Sequence, residues 1–383
     1  MNLLTWIVCL IGHIGFWCVV FNRVHATAFP RRTRKLSEKF VILAVGLPIL
    51  WVASLMLLQR DFEFDSFTRF RLTWIYLYGA VLLGVFFMAR WVWRKFYFTM
   101  PSCVVSHSRE WISIGKEIDR PIFHGAFAKL MGRVPFNEAS ELAIERMTFR
   151  MPIPMELDGL KICQLSDLHF TGQISLDYFR KVIEYANAFD PDIVVITGDL
   201  VDEAKCIDWL DETVGKLRSR CGVFYVLGNH DLRIDDETGL RTRLQELGLV
   251  QVSGTWNDVQ RGGSVIRLTG NELPWFDDAN RLPDEPDVDA DLRILMSHSP
   301  DQLDWAKPFN FDLMFAGHTH GGQIALPFFG PIVAPSKYGV LYASGTFSIG
   351  RMLMHVSRGI SGDEPIRICS PPELGLFTLV AEK

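Results

Sequence analysis

Five short apolar runs each end in residues able to hold a metal ion. Run 162–166 leads into Asp167 and His169, run 193–197 into Gly198, Asp199 and Asp202, and run 223–227 into Gly228, Asn229, His230 and Asp231. Run 293–297 leads into His298, and run 313–316 into Gly317, His318, Thr319 and His320. Five of the ten histidines fall in these loops, which a scatter of core or surface histidines would not produce. Imidazole with carboxylate and carboxamide oxygen, and no thiolate, suits Mn, Fe or Zn rather than a structural Cys-type zinc site. The seven candidate ligands Asp167, His169, Asp199, Asn229, His298, His318 and His320 are too many for one ion. Two divalent or trivalent ions sharing a bridging carboxylate would use them all, and ions paired roughly 3.5–4 Å apart support in-line attack at phosphorus. His230 directly follows a candidate ligand, which is the position for a general acid. Gly198, Gly228 and Gly317 suit loops that need positive φ or close backbone approach.

The elements that must position these loops are short, β-branched runs separated by amphipathic segments. Residues 176–189 and 207–217 have helical periodicity between runs 162–166, 193–197 and 223–227, which predicts strand-helix-strand units and parallel strands. Runs 265–269, 293–296, 313–315, 352–356 and 376–380 follow at closer spacing and predict a second sheet. The fold class is therefore α/β, sheet packed on sheet with helices outside, and the ligand loops gather at the carboxyl ends of the strands. Residues 142–151 alternate imperfectly and read as an edge strand.

The order Asp-x-His, Gly-Asp-x-x-Asp, Gly-Asn-His-Asp, a lone His and Gly-His-x-His resembles the calcineurin-like metallophosphoesterase superfamily from residue 161 onward. The resemblance implies a double β-sandwich flanked by helices. It implies that Asp167, His169, Asp199 and His320 hold one ion, and Asp199, Asn229, His298 and His318 the other. Asp199 would bridge, His230 would protonate the leaving oxygen, and Asp202 would orient His230. The segments 191–199, 317–323, 357–359 and 371–373 resemble a bacterial, membrane-associated branch, some of whose members are UDP-diacylglucosamine pyrophosphatases. The expected activity is hydrolysis of a phosphodiester or pyrophosphate bond in a lipid-linked nucleotide. Two alternatives stand beside it: a phosphodiesterase or protein phosphatase with a soluble substrate, and a non-catalytic metal-binding membrane scaffold.

The first hundred residues have a different character. Residues 3–21, 40–58 and 72–89 are apolar and carry no Asp, Glu, Lys or Arg, each near the length that crosses a bilayer as a transmembrane helix. The first lacks the charged start and small-residue cleavage site of a signal peptide. Arg23, Arg31, Arg32, Arg34, Lys35 and Lys39 follow the first run, and Arg90, Arg94 and Lys95 the third, which places those segments and the catalytic portion in the cytoplasm. Three domains are expected: an anchor over residues 1–95, a linker with interfacial helices over 96–155, and the metallophosphoesterase domain over 156–383. The localisation is the cell inner membrane, multi-pass. Within the runs only His13 is ionisable, so they read as an anchor and not a transport path.

A net charge of -5 over 383 residues argues against a nucleic-acid partner bound by bulk charge. The seven cysteines show no disulfide or CxxC pattern. Arg358 is a candidate for holding a substrate phosphate through its guanidinium fork. Asp231 reads as structural, Cys163, Trp111, Trp275 and Phe276 as packing, and the acidic stretch 277–291 as solvated loop.

Overall fold

The computed structural model describes residues 3–29, 31–57, 67–97, 99–276, 282, 284–286 and 289–382. Two compact units divide at residue 99. In the first, α1 (Leu3–His25), α2 (Arg31–Leu57) and α3 (Phe67–Tyr97) form an all-helical unit. Helices α1 and α3 approach closely because Gly12 faces the Ala80 carbonyl and Gly84 the Val8 carbonyl, with no room for a Cβ at either. Among the described residues two helices are long and apolar enough to cross a membrane, Leu3–His25 and Trp74–Phe96. The other apolar run lies in α2, which contains Pro48, and its expected end at residue 58 lies outside the described residues. Residues 58–66 and Asp277, Asp278 and Asp287 of the acidic stretch also lie outside them.

The second unit, residues 100–383, is built on two mixed sheets. In chain order it begins with β1 (Val104–Ile112), α4 (Ile114–Glu117), α5 (Ala126–Met131), β2 (Leu142–Met151), β3 (Leu160–Leu165) and α6 (Leu176–Ala188). Then come β4 (Ile193–Thr197), α7 (Trp209–Glu212), β5 (Gly222–Val226), α8 (Glu237–Glu246) and β6 (Val250–Gln251). The remaining elements are β7 (Asn257–Arg261), β8 (Ser264–Asn271), β9 (Leu292–Ser297), α9 (Leu303–Ala306), β10 (Leu313–Ala316), β11 (Ala325–Leu326), β12 (Gly330–Pro331), β13 (Gly345–Ile349), β14 (Met352–Val356) and β15 (Glu373–Ala381). One sheet has the order β1-β2-β15-β3-β4-β5-β6, the other β13-β14-β10-β9-β8-β7, and β11 and β12 form a separate hairpin.

Strand alternation explains the layers. Ile162, Val195, Phe224 and Val226 point between the sheets, where they meet Ile266, Ile294, Met296, Phe315 and Phe377. Their neighbours Cys163, Val194, Ile196 and Tyr225 point the other way, onto Tyr178, Phe179, Val182 and Ile183 of α6. This period of two makes each strand buried on both faces. Helix α6 begins where Ser175 accepts from the Tyr178 amide, with Asp177 in its first turn. Burial of its four large side chains contributes roughly 1.5–3 kcal/mol each. Strands β3, β4 and β5 run parallel, as do β8, β9, β10 and β14, so the loops that follow β3, β4, β5, β9 and β10 emerge together.

Four expectations differ from this architecture. Residues 376–380 belong to β15, which pairs with β2 and β3 in the first sheet and not with the second. An apolar run specifies burial but not its partner. Residues 142–151 form β2, an interior strand, because β1 takes the edge beside it. Residues 207–217 are not one helix but α7 and a short 3-10 turn, Val214–Lys216, since Thr213 between them leaves helical geometry. The segment 96–155 contributes β1 and β2 to the sheet.

Candidate metal centre

The ligand loops converge. Asp167, His169, Asp199 and His320 present donor atoms that all lie within 4.8 Å of one another, and Asp199, His298 and His318 form a second such group. In the first, His169 Nε2 lies 3.2 Å from His320 Nε2 and 3.5 Å from Asp199 Oδ2, and His320 Nε2 lies 3.5 Å from Asp167 Oδ1. In the second, His298 Nε2 lies 3.2 Å from Asp199 Oδ2, 3.1 Å from His318 Nδ1 and 3.2 Å from Asn229 Oδ1. Asp199 belongs to both groups. Its Oδ1 accepts from the His230 amide at 2.7 Å, while its buried Oδ2 has no hydrogen-bond partner and faces an imidazole of each group.

Imidazole tautomers test whether ions fit. His169 Nδ1 is 2.8 Å from Asp202 Oδ2, His298 Nδ1 is 2.8 Å from the Thr197 carbonyl, and His320 Nδ1 is 3.2 Å from the Ser361 carbonyl. The Nδ1 protons of His169 and His298 are thereby committed to oxygens and their Nε2 lone pairs point into the cluster, whereas His320 Nδ1 also faces a donor, Arg367 Nη2, at 3.0 Å. Two lone pairs and two carboxylates, one of them with an orphaned oxygen, facing one another in a buried site need cations. Without them, protons take that place. Burial would lower His169, but Asp202, Asp199 and Asp167 outweigh it and lift it to about 9; Asp199 and Asp167 likewise lift His298 to about 9. Burial and the Arg367 guanidinium hold His320 well below its usual value, so that ring stays neutral and able to ligate. The residues present fit metal ions.

The backbone is bent to achieve this. Asp167, His169, Asp199, His318 and His320 all have φ between 47° and 69°, the left-handed region that non-glycine residues seldom enter. Such conformations cost about 1–3 kcal/mol each and persist where the surroundings over-determine them. Asp231 is one of those surroundings. Its carboxylate accepts from the amides of Asp199, Leu200, Val201 and Gly228 at 2.8–3.0 Å, locking the loop after β4 to the loop after β5. Gly198 has φ 91°, and a Cβ at Gly317 would collide with Ser166 Oγ and Asp167 Oδ2.

His230 lies beside the first group. Its Nδ1 is 2.5 Å from Asp202 Oδ1, and its ring packs edge-on against His169 with centroids 4.5 Å apart. Asp202 therefore holds two imidazoles, His169 through one oxygen and His230 through the other. Sequence reasoning missed Arg233, which follows His230 by one turn. Its Nη1 bonds Asp202 at 2.7 Å and Asp363 at 2.9 Å, and its Nη2 is 3.2 Å from His230 Nε2. Arg367 was missed as well. It is buried and donates to the carbonyls of His320 and Arg358 at 2.9 and 2.7 Å. No spacing marks either residue, because Asp363 and the His320 carbonyl, which they hold, come from segments whose course is set by the fold.

Arg358 is buried away from solvent with its fork committed elsewhere. Nη2 bonds Glu145 at 2.6 Å and lies 3.1 Å from Glu373, and Nε donates to the Pro371 carbonyl at 3.0 Å. Trp275 packs edge-on against His298 and tilted against His318, at 5.2 and 4.8 Å between centroids, beside the second group, while Phe276 is buried and Trp111 half exposed on β1. Cys163 is buried, and all seven cysteines are free.

Comparison with known proteins agrees with this geometry. Residues 160–322 match the family described as calcineurin-like phosphoesterase. The chain is 31% identical over 242 residues to the metallophosphoesterase YkuE of Bacillus subtilis, covering 59% of this chain and 81% of that protein. This chain is a calcineurin-like metallophosphoesterase. Within the metallophosphoesterases it is also similar to the UDP-2,3-diacylglucosamine pyrophosphatase LpxG of Chlamydia trachomatis, 27% identical over 303 residues, covering 64% of this chain and 91% of that one. A transmembrane protein with metallophosphoesterase domain from Danio rerio is 28% identical over 236 residues, covering 54% of this chain and 53% of that protein. Members of the family hydrolyse phosphoesters with divalent metals, and the two His/Asp groups are where this chain would hold them.

Proposed function

We propose that the protein is a membrane-anchored phosphoesterase that uses two metal ions to hydrolyse a pyrophosphate or phosphodiester bond in a lipid-linked nucleotide, at the cytoplasmic face of the cell inner membrane. The observation that carries this reading is Asp199, shared between two buried ligand groups, with His230 held beside them by Asp202. Asp167, His169, Asp199 and His320 would hold one ion, and Asp199, Asn229, His298 and His318 the other. When bound, the pair supplies Lewis-acid stabilisation of charge on the phosphate oxygens. This chain's residues do the rest. The second oxygen of Asp202 fixes the His169 ring so that Nε2 remains a lone pair. Its first oxygen orients His230, which as an imidazolium would donate from Nε2 to the leaving oxygen once that nitrogen leaves Arg233 Nη2, 3.2 Å away. Arg233 supports the same carboxylate from outside, tied in turn to Asp363.

The lipid-linked substrate is supported by the likeness to LpxG and by the two span-length helices that the chain carries. Arg358, engaged by Glu145 and Glu373, is assigned to holding the loop after β14 and not to binding phosphate. The test is metal analysis of the detergent-purified full chain, followed by turnover of UDP-diacylglucosamine against small soluble phosphodiesters in the same micelles. Preference for the lipid-linked pyrophosphate supports the reading. Equal turnover of both would leave a phosphoesterase for soluble substrates, and bound metal with no turnover of either would leave a scaffold.

A further inference from the structure

Two surface elements of the second unit are apolar and stand on the same piece of chain. The first is α5 with its flanks. Phe127, Leu130 and Phe136 are 50%, 58% and 87% exposed, and residues 121–136 include exposed Lys129 and Arg133 but no Asp or Glu. The second is the β11–β12 hairpin. Residues 324–336 contain no charged residue, and Ile324, Leu326, Phe328, Phe329 and Ile332 are exposed there.

Both elements attach to the segment around Arg367. Asn137, next to Phe136, donates from Nδ2 to the Pro365 carbonyl at 3.0 Å and accepts from the Arg367 amide at 2.9 Å. On the other flank Ile324 bridges Ile368, and the Ala325 amide donates to the Ile368 carbonyl at 2.8 Å. Arg367 in turn donates to the His320 carbonyl, so the two elements border the backing of the first ligand group.

Aromatic and aliphatic side chains at this exposure, interleaved with cations and free of acids, have the composition of a surface that enters the headgroup region of a bilayer. Lys129 and Arg133 complement anionic lipid, each basic residue near such a surface contributing roughly 1 kcal/mol. A protein partner is a poorer fit, since protein interfaces carry a polar rim that fixes register and the hairpin offers no charge for one. We propose that α5 and the β11–β12 hairpin form a bilayer-docking surface, which seats the metal centre at the level of lipid headgroups. The proposal rests on the membrane-associated reading above and adds a second, monotopic contact from the catalytic unit itself. Such a contact has a purpose for a lipid-linked substrate, whose phosphates lie at that level and need not leave the membrane.

The test uses the full chain in vesicles of phosphatidylcholine with a minority of phosphatidylglycerol. Photoreactive benzoylphenylalanine replaces Phe136 or Leu326 in turn, and Arg218, exposed ahead of β5 at the opposite strand ends from the ligand loops, serves as reference. Lipid adducts several-fold more abundant at positions 136 and 326 than at 218 are the expected result. The pair K129E and R133E should lower the yield at position 136 and leave hydrolysis of a soluble phosphodiester unchanged. Equal yields at all three positions, or adducts to a second copy of the chain, would overturn the docking surface. Lipid adducts without turnover of a lipid-linked pyrophosphate would uphold the surface and remove only the substrate reading.

Discussion

Asp202 is the residue whose replacement separates the present reading from a simpler one in which it serves His230 alone. Its Oδ2 takes the Nδ1 proton of His169 at 2.8 Å, and its Oδ1 faces His230 Nδ1 at 2.5 Å and Arg233 Nη1 at 2.7 Å. In Asp202→Asn, one oxygen becomes an NH2 group. The remaining oxygen satisfies two donors if it faces His230 and Arg233, so the NH2 turns toward His169. Two donors then oppose each other, and His169 must move its proton to Nε2, the atom that faces Asp199 and His320. Loss of an outer-shell partner of this kind typically costs about 10–100-fold in metal affinity, ~1.4–2.8 kcal/mol. His230→Ala should behave differently, with metal affinity preserved and turnover down about 10²–10⁴-fold. The assay is metal titration of chelator-stripped full-length protein, with turnover measured at limiting and saturating metal. The double variant is decisive. At saturating metal it should be no slower than His230→Ala, while at limiting metal it should carry the added affinity loss. An Asp202→Asn protein that binds metal as tightly as the native one would refute the tautomer argument.

Asp199→Asn removes the carboxylate common to both ligand groups and should lose bound metal and activity together, which elemental analysis of the purified variant would register. Burial alone would raise the Glu373 carboxyl, but Arg358 and His355 outweigh it and hold it at about 2 against an ordinary 4.5. A depressed carboxyl contributes stability that is complete above pH 4.5 and lost as pH falls toward 2, here about 3 kcal/mol. Denaturant melts of native protein and Glu373→Gln should therefore differ most above pH 4.5 and converge below; a constant difference across that window would refute the assignment. Deleting residues 1–95 should lower turnover of a lipid-linked substrate in vesicles and spare a small soluble phosphodiester, because the ligand loops all belong to the second unit. A parallel fall in both would mean that the first unit supports folding.

The convergence of the candidate ligands was legible because short apolar runs ending in Asp, Asn or His are visible in one dimension, and strand ends gather in the fold. Gly198 and Gly317 were legible for the same reason, standing where the chain must turn or let another loop approach. Arg358 stood as a candidate for a substrate phosphate on its guanidinium fork alone, since its partner Glu145 lies more than two hundred residues earlier. Arg233 and Arg367 stayed hidden because their partners, Asp363 and the His320 carbonyl, come from loops brought near only by folding. Run 376–380 showed its burial clearly and its place not at all. Strand order is decided by which neighbours complete a sheet, and that information is spread over the whole chain.

The place of β15 has a consequence for how the protein can be made. It lies between β2 and β3, taking Met147 and Thr148 as partners on one side and Ile162 and Lys161 on the other. Until translation passes Ala381, the sheet has a gap through its middle, and β2 and β3 present open ladders to whatever is nearby. Residues 3–97 leave the ribosome long before that point, so the helical unit can be handled by the insertion machinery while the catalytic unit is still incomplete. Closure of the sheet thus waits on residues 373–381. A nascent chain stalled before residue 373 would hold all seven candidate ligands while β2 and β3 were still unjoined.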